Sequence, residues 1–328
     1  MKNPFVTNGY VSPEYFCDRE KETAKIVSLL TNENNIALIS PRRLGKTDLL
    51  RHCFGQPEIK EHYHTFIIDI YATSSVRDFV NVFGKAVLDE LRPKGKSVWG
   101  TFLNVLASLR SEITFDMNGQ PTWGIGLGAI TNPSATLDEI FSYLNNAGKP
   151  CLIAIDEFQQ ITKYADDPNI EAALRTHIQR CSNAHFVFSG SHRHLMGAMF
   201  TSPARPFYQS VTLINLPPIS VDKYAEFCLR HFERASKHLD TLVVTELYER
   251  FNGITSYMQK VMNILFSMTG TGEICIPSMI DTAINDLLDF SADTYDALLY
   301  QMPEKQRIVF MAIAAEGKAK AISSGDFV

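Results

Sequence analysis

Ser40-Pro41-Arg42-Arg43-Leu44-Gly45-Lys46-Thr47 follows the apolar run Ile36-Ala37-Leu38-Ile39 and opens a helical stretch, Thr47–Phe54. A strand, a loop ending in Gly-Lys-Thr and then a helix make the setting of a phosphate-binding loop. At that junction the first N–H groups of the helix lack partners and carry positive partial charge, which a phosphate chain satisfies. Gly45 lets the backbone approach phosphate without a Cβ in the way. Lys46 is expected to reach the β- and γ-phosphates and the Thr47 hydroxyl to ligate Mg²⁺. Pro41, Arg42, Arg43, Leu44 and Asp48 complete the stretch expected around the nucleotide. Ser40 stands where the pattern has glycine.

A second apolar strand, Cys151–Ile155, ends in Asp156-Glu157. A carboxylate at the edge of a buried strand is costly unless it faces a cation or donors. Asp156 is expected to hold Mg²⁺ through water or the Thr47 hydroxyl, and Glu157 to orient and deprotonate an attacking water. A third strand, Phe186–Ser189, leads into Gly190-Ser191-His192-Arg193, where Ser191 is the candidate sensor of the γ-phosphate. A plain helix N-cap is the competing role for Ser191.

Working outward, strands Ile36–Ser40, Thr65–Ile70, Cys151–Ile155, Phe186–Ser189 and Val211–Ile214 alternate with helical patterns at Thr47–Phe54, Val76–Leu91, Thr136–Asn145, Ile170–Arg180 and His192–Phe200. Continuous apolar strands between helices predict an α/β fold with a parallel sheet covered on both faces. Ile113–Asp116 and Thr122–Ile130 flank an Asn-Gly turn and predict an inserted β-hairpin at about residues 113–130. Gly124, Gly126 and Gly128 follow GxGxG spacing, which suits a glycine-bearing strand better than a dinucleotide loop. After Pro217-Pro218 the pattern turns wholly helical, with Ser220 as N-cap of Val221–Glu233, then Thr241–Phe251, Ser256–Met268 and Pro277–Asp289. The expected division is a core over 1–217, a helical lid over 218–291 and a further unit over 292–328.

The 328 residues carry a formal charge of −5 and are 45% hydrophobic, which suits a globular chain and offers no global attraction to nucleic acid or an anionic membrane. No apolar run approaches the ~20 residues of a membrane span, and the start lacks a secretory pattern. The six scattered cysteines form no CxxC and read as reduced, buried thiols of a cytoplasmic protein. His62/His64 and His192/His194 lack a second pair of metal ligands nearby.

These residues together resemble the archaeal-type ATPase family, prokaryotic P-loop ATPases related to AAA+ and STAND NTPases. Phe16-Cys17-Asp18-Arg19-Glu20-Lys21-Glu22 is similar to that family's hhGRExE motif, which lies beside the nucleotide and implicates Arg19; Asp18 replaces its glycine. Pro41–Thr47 resembles P-R-R-x-G-K-T, Asp156-Glu157-Phe158-Gln159 a D-E-F-Q motif, Phe188–Ser191 the sensor strand and Pro206-Phe207-Tyr208 a P-x-Y segment. Asn252–Gln259 resembles a lid motif whose proline packs on adenine, with Thr255 at the proline position. The resemblance implies a P-loop NTPase core, an all-helical lid and a winged-helix domain, of which Met302–Val328 reads as a truncated beginning.

The resemblance further implies ATP as ligand, Mg²⁺ as cofactor and hydrolysis to ADP and phosphate, with nucleotide state coupled to domain movement or assembly. A slow nucleotide-gated switch uses the same site, so that alternative stays open. So does a DNA-associated regulator, although Ser291–Val328 has only Lys305, Arg307, Lys318 and Lys320 as basic residues. A second copy or another protein is the expected partner, and Arg175, Arg180, Arg193 and Arg205 are candidate arginine fingers.

Overall fold

The structure, a computed structural model, describes residues 2–91, 113–115, 121–123 and 132–317, the two short pieces by backbone alone. Its strands in chain order begin with β1 (Ile36–Ile39), β2 (His64–Asp69), β3 (Ile113–Phe115), β4 (Pro121–Trp123), β5 (Cys151–Asp156), β6 (Ala184–Gly190) and β7 (Thr212–Asn215). Five of them form one parallel sheet in the order β2-β5-β6-β1-β7.

Side chains alternate across that sheet because the strand period is two. Ala37 and Ile39, Ile153 and Ile155, and Phe186 and Phe188 face one core cluster. Ile36 and Leu38, Leu152 and Ala154, and Val187 face the other. The first cluster is closed by helices Val76–Glu90, Pro133–Asn145, Ile170–Arg180 and Arg193–Thr201. Helices Glu20–Thr31, Lys46–Phe54 and Pro57–His62 close the second. Burial on both faces explains why β1, Cys151–Ile155 of β5 and Phe186–Phe188 of β6 are apolar without interruption. Two of the helices covering the sheet start under side-chain caps: Ser75 Oγ accepts from Asp78 N at 3.1 Å and Asn132 Oδ1 from Ala135 N at 3.2 Å.

The inserted hairpin has its two strands, β3 and β4, antiparallel with Thr114 opposite Thr122. Its turn and the Gly124–Gly128 stretch lie outside the described residues.

Beyond the sheet, helices Val221–Arg234, Thr241–Arg250, Thr255–Met268 and Ile280–Asp289 pack around Phe227, Phe232, Val244, Leu247, Met262 and Leu265. This part is not wholly helical as expected. Two further strands, β8 (His238–Leu239) and β9 (Ile274–Cys275), pair in parallel. Two residues per strand are too few to show a period in sequence, and only the packed helices bring them together. Ser220 occupies the N-cap position without a side-chain cap bond, and its N–H instead donates to Asp18 Oδ2 at 3.3 Å.

The N-terminal residues cross from this helical part to the sheet. Phe5, fully buried, joins the helical cluster, while Tyr10 Oη hydrogen-bonds His52 Nδ1 on the helix after the phosphate loop at 3.1 Å. Helices Ala292–Gln301 and Glu304–Glu316 bury no residue and leave Ile308, Phe310 and Met311 exposed. The expected helix after Ser323 lies outside the described residues.

All six cysteines are free. Five are buried, and Cys17, expected to be buried, is only half-buried. Burial pushes the Cys17, Cys53 and Cys151 thiols up to about 12, far from thiolate reactivity. Among the described residues no helix is long and apolar enough to cross a membrane.

Candidate functional site

The loop after β1 and the C-terminal end of β5 meet at one cavity of about 390 Å³, within the usual size of a ligand site. Helix Lys46–Phe54 starts at its floor, with Gly45 as N-cap in the left-handed region at φ 82°. A Cβ on Gly45 would meet no atom within 4 Å, so it would project into open space that glycine leaves for a ligand. Lys46 is buried and its Nζ donates to the carbonyls of Ser40 at 3.2 Å and Pro41 at 3.3 Å. Burial holds the Lys46 ammonium below its usual pKa; Asp156 and Glu157 oppose that shift and Arg42 adds to it.

Thr47 Oγ1 donates to Asp156 Oδ2 at 2.5 Å, joining the loop helix to the end of β5 across the intervening strand β6. A hydroxyl and a carboxylate held together in this way are hard oxygen donors of the kind Mg²⁺ takes, which needs only one or two carboxylates beside substrate phosphates. Among the described residues no cluster of three or more His, Cys, Asp or Glu side chains could hold a metal ion by itself.

Glu157 lines the same cavity from a left-handed backbone position, φ 54°. Its Oε2 accepts from Ser191 Oγ at 2.9 Å and from Gln159 Nε2. Arg42 Nε reaches Ser191 Oγ at 3.4 Å. Ser191 is not the cap of the following helix, since His192 occupies that position. Its hydroxyl is directed to Glu157.

The helical part forms the opposite wall. Thr255, Ser256 and Gln259 line the cavity, and Ser256 N donates to the Arg43 carbonyl at 3.2 Å. The Arg43 guanidinium lies 4.8 Å from the Tyr257 ring centre and donates to Tyr257 Oη. A smaller adjoining cavity of about 90 Å³ contains Arg19, Leu44, Asp48, Tyr224 and Thr255. Arg19 is buried and committed to Glu22 Oε1 at 2.9 Å and the Pro217 carbonyl at 2.8 Å. Thr255 Oγ1 is buried without a protein partner. Burial raises the Asp48 carboxyl above its usual pKa.

Most residues expected from sequence therefore meet around these two cavities. Pro41 and Ser191 line neither: Pro41 is exposed and contributes its carbonyl to Lys46, and Ser191 reaches the site through Glu157. Arg175, Arg180, Arg193 and Arg205 also line neither, and Arg205 Nη2 is paired with Glu171 Oε1. Sequence reasoning missed Val6, Thr7 and Gly9, which wall the main cavity. No motif marks them; Phe5 is the only nearby signal, as an isolated large apolar residue near the chain start. Gln159 was legible as part of a motif but not as a contact of Glu157.

A five-stranded parallel sheet carrying a Gly-Lys-Thr loop and an acidic strand end defines a P-loop ATPase-type protein. Residues 16–261 match the family described as an ATPase domain predominantly from Archaea, and the chain belongs to that family. Residues 293–328 match a probable winged helix domain. Against curated proteins the sequence finds no match. Among solved structures, the Walker-type ATPase PABY2304 of Pyrococcus abyssi is similar at TM-score 0.62 and 17% identity, over 94% of this chain and 81% of that one. The Aeropyrum pernix ORC2 protein, in ADPNP–ADP complexes, follows at TM-score 0.58 and 13% identity, over 87% and 71%. The Aeropyrum pernix ORC1 protein in complex with DNA gives 0.55 and 13%, over 92% and 73%. These likenesses establish the fold.

Proposed function

We propose that the chain binds ATP with Mg²⁺ in the 390 Å³ cavity and hydrolyses it to ADP and phosphate, and that nucleotide state moves the helical part against the sheet. The observation that carries this reading is the Thr47–Asp156 hydrogen bond beside Lys46 and Gly45, a hydroxyl–carboxylate pair at the head of an open helix N-terminus. The loop N–H groups and Lys46 hold the β- and γ-phosphates, Lys46 leaving the Ser40 and Pro41 carbonyls to do so. Thr47 and Asp156 hold Mg²⁺, which neutralises charge on the phosphate oxygens. Glu157 takes the proton of a water whose oxygen bonds to the γ-phosphorus as the bond to the bridging oxygen breaks. Ser191 keeps Glu157 in place. Arg19, Leu44, Asp48 and Thr255 surround the base and sugar.

Arg43 supports the coupling, because it belongs to the phosphate loop and yet grips Tyr257 and Ser256 of the helical part. The matching units are a core over residues 1–217, a lid over 218–291 and a winged-helix part over 292–328. Slow hydrolysis awaiting a partner is favoured by one observation: among the described residues the only arginines lining the main cavity are Arg42 and Arg43. A nucleic-acid role has less support, since Glu304–Glu316 exposes Ile308, Phe310 and Met311 and carries only Lys305 and Arg307 as basic residues. A cytoplasmic setting suits the six free thiols. The test is ATP titration and turnover with and without Mg²⁺. Lys46→Ala is expected to lose nucleotide affinity while its circular dichroism stays parental. Parental binding by that variant would refute the site.

A further inference from the structure

Glu157 is held from behind by two donors on a single oxygen. Gln159 Nε2 and Ser191 Oγ both donate to Oε2, and the carboxylate faces the cavity. A carboxylate that turns freely offers its lone pairs in many directions, whereas donors on one oxygen fix its plane and leave the other oxygen for water. Gln159 is buried at 3% exposure, and its Oε1 has no hydrogen-bond partner among the described residues. An unpaired buried acceptor is costly, so the amide is not placed there to satisfy itself. What holds it is the charge-assisted bond to Glu157. The reverse amide orientation would set Oε1 against the carboxylate.

The end of β6 is shaped around this side chain. A Cβ on Gly190 would overlap Gln159 Oε1 and lie 2.5 Å from Met196 Sδ and 2.6 Å from its Cγ. Gly190 thus keeps the seat of Gln159 open, and the next residue, Ser191, supplies the second donor. The 3₁₀ turn Phe158–Lys163 carries Gln159 back beneath the Glu157 carboxylate, and Thr162 Oγ1 donates to the Gln159 carbonyl at 2.8 Å.

We propose that Gln159 is a positioning residue that fixes the Glu157 carboxylate so that its free oxygen, Oε1, receives the proton of the attacking water. This rests on the reading of Glu157 as the base. During the step, the proton passes to Oε1 while Oε2 keeps its bonds to Gln159 and Ser191. Gln159 does not touch the nucleotide, so its loss changes turnover and leaves binding alone.

The experiment compares the full chain with Gln159→Leu, Gly190→Ala, Glu157→Gln and the double variant Gln159→Leu/Glu157→Gln, measuring Mg-ATP affinity and kcat for each. Gln159→Leu is expected to lower kcat by about tenfold to a hundredfold, part of the ~10²–10⁴ a general base supplies, with affinity unchanged. Gly190→Ala, which fills the seat and leaves Gln159 chemically intact, is expected to lower kcat in the same way. Adding Gln159→Leu to Glu157→Gln is expected to cost nothing further, because both act through one carboxylate. An equal further loss in the double variant overturns the inference, since packing alone would act whether or not the base is present. Parental kcat in Gln159→Leu with a slow Glu157→Gln overturns the inference alone. Parental kcat in Glu157→Gln overturns the base assignment, and the inference with it. Reduced affinity in both Gln159→Leu and Gly190→Ala assigns Gln159 to the binding site and also overturns it.

Discussion

Replacing Phe5 by alanine tests whether the N-terminal strap is a wall of the nucleotide site. The Phe5 ring is fully buried, with centroids of Phe266, Phe232, Phe227 and His231 at 5.6, 5.8, 6.0 and 6.2 Å. Truncating a fully packed phenylalanine costs about 3–5 kcal/mol, from transfer and from the cavity left behind. That is roughly a hundredfold to several-thousandfold in the equilibrium keeping residues 2–9 docked. Three polar ties remain, Asn3 Nδ2 to the Asn263 carbonyl at 2.8 Å and to Ser267 Oγ at 3.0 Å, and Asn263 Nδ2 to the Phe5 carbonyl at 2.7 Å. The strap belongs to no strand and can lift without breaking the sheet. Val6, Thr7 and Gly9 then leave the cavity, and apparent ATP affinity falls with the docked fraction. Hydrogen exchange read at Asn3–Gly9, together with ATP titration, gives both quantities. Lost protection with parental affinity would show that the strap is not part of the site. Retained protection would refute the anchor argument.

Arg43→Ala should weaken ATP binding and also raise exchange at Thr255–Gln259, whereas Tyr257→Ala should raise exchange there and leave the loop's affinity near parental; equal effects would remove Arg43 as the link between the two parts. If a partner completes the site, dilute chain should turn ATP over very slowly, since a finger arginine is worth about 10³–10⁵ in rate. Among Arg175, Arg180, Arg193 and Arg205, one substitution should then abolish concentration-dependent turnover but spare binding; fast hydrolysis independent of concentration would sink the idea. Burial holds His177, His185 and His231 below their usual pKa of 6.5, so the unfolded chain binds more protons as pH falls, and stability present above about 6.5 is lost below it. His231 faces Arg230, Arg234 and Glu14 and leaves Nε2 without a partner. Urea midpoints at about pH 7.5 and about pH 5.5 should therefore differ less in His231→Phe than in the parent, and an equal difference would remove His231 from the account.

Elements whose signal is local were readable from sequence. β1, Cys151–Ile155 of β5 and Phe186–Phe188 of β6 are apolar runs because helices cover both of their faces, and the turn after β1 needs glycine and lysine for reasons confined to a few residues. Helix Glu20–Thr31 buries Ile26 and Leu30 at helical spacing, a period partly masked by the charged run Arg19–Glu22 at its start. β8 and β9 were invisible, since two residues apiece carry no pattern and the strands lie far apart in the chain.

The sequence by itself determined the α/β class, the phosphate loop and the acidic end of β5, because each depends on the chemistry of adjacent residues. Tertiary structure alone decided that β6 lies between β1, which leads to Thr47, and β5, which carries Asp156, that Ser191 serves Glu157 rather than a helix cap, and that Phe5 pins residues 6–9 over the cavity. Those meetings follow from strand order and from packing between distant segments. In a sheet ordered β2-β5-β6-β1-β7, neighbours in space are not neighbours in the chain, and no local period records them.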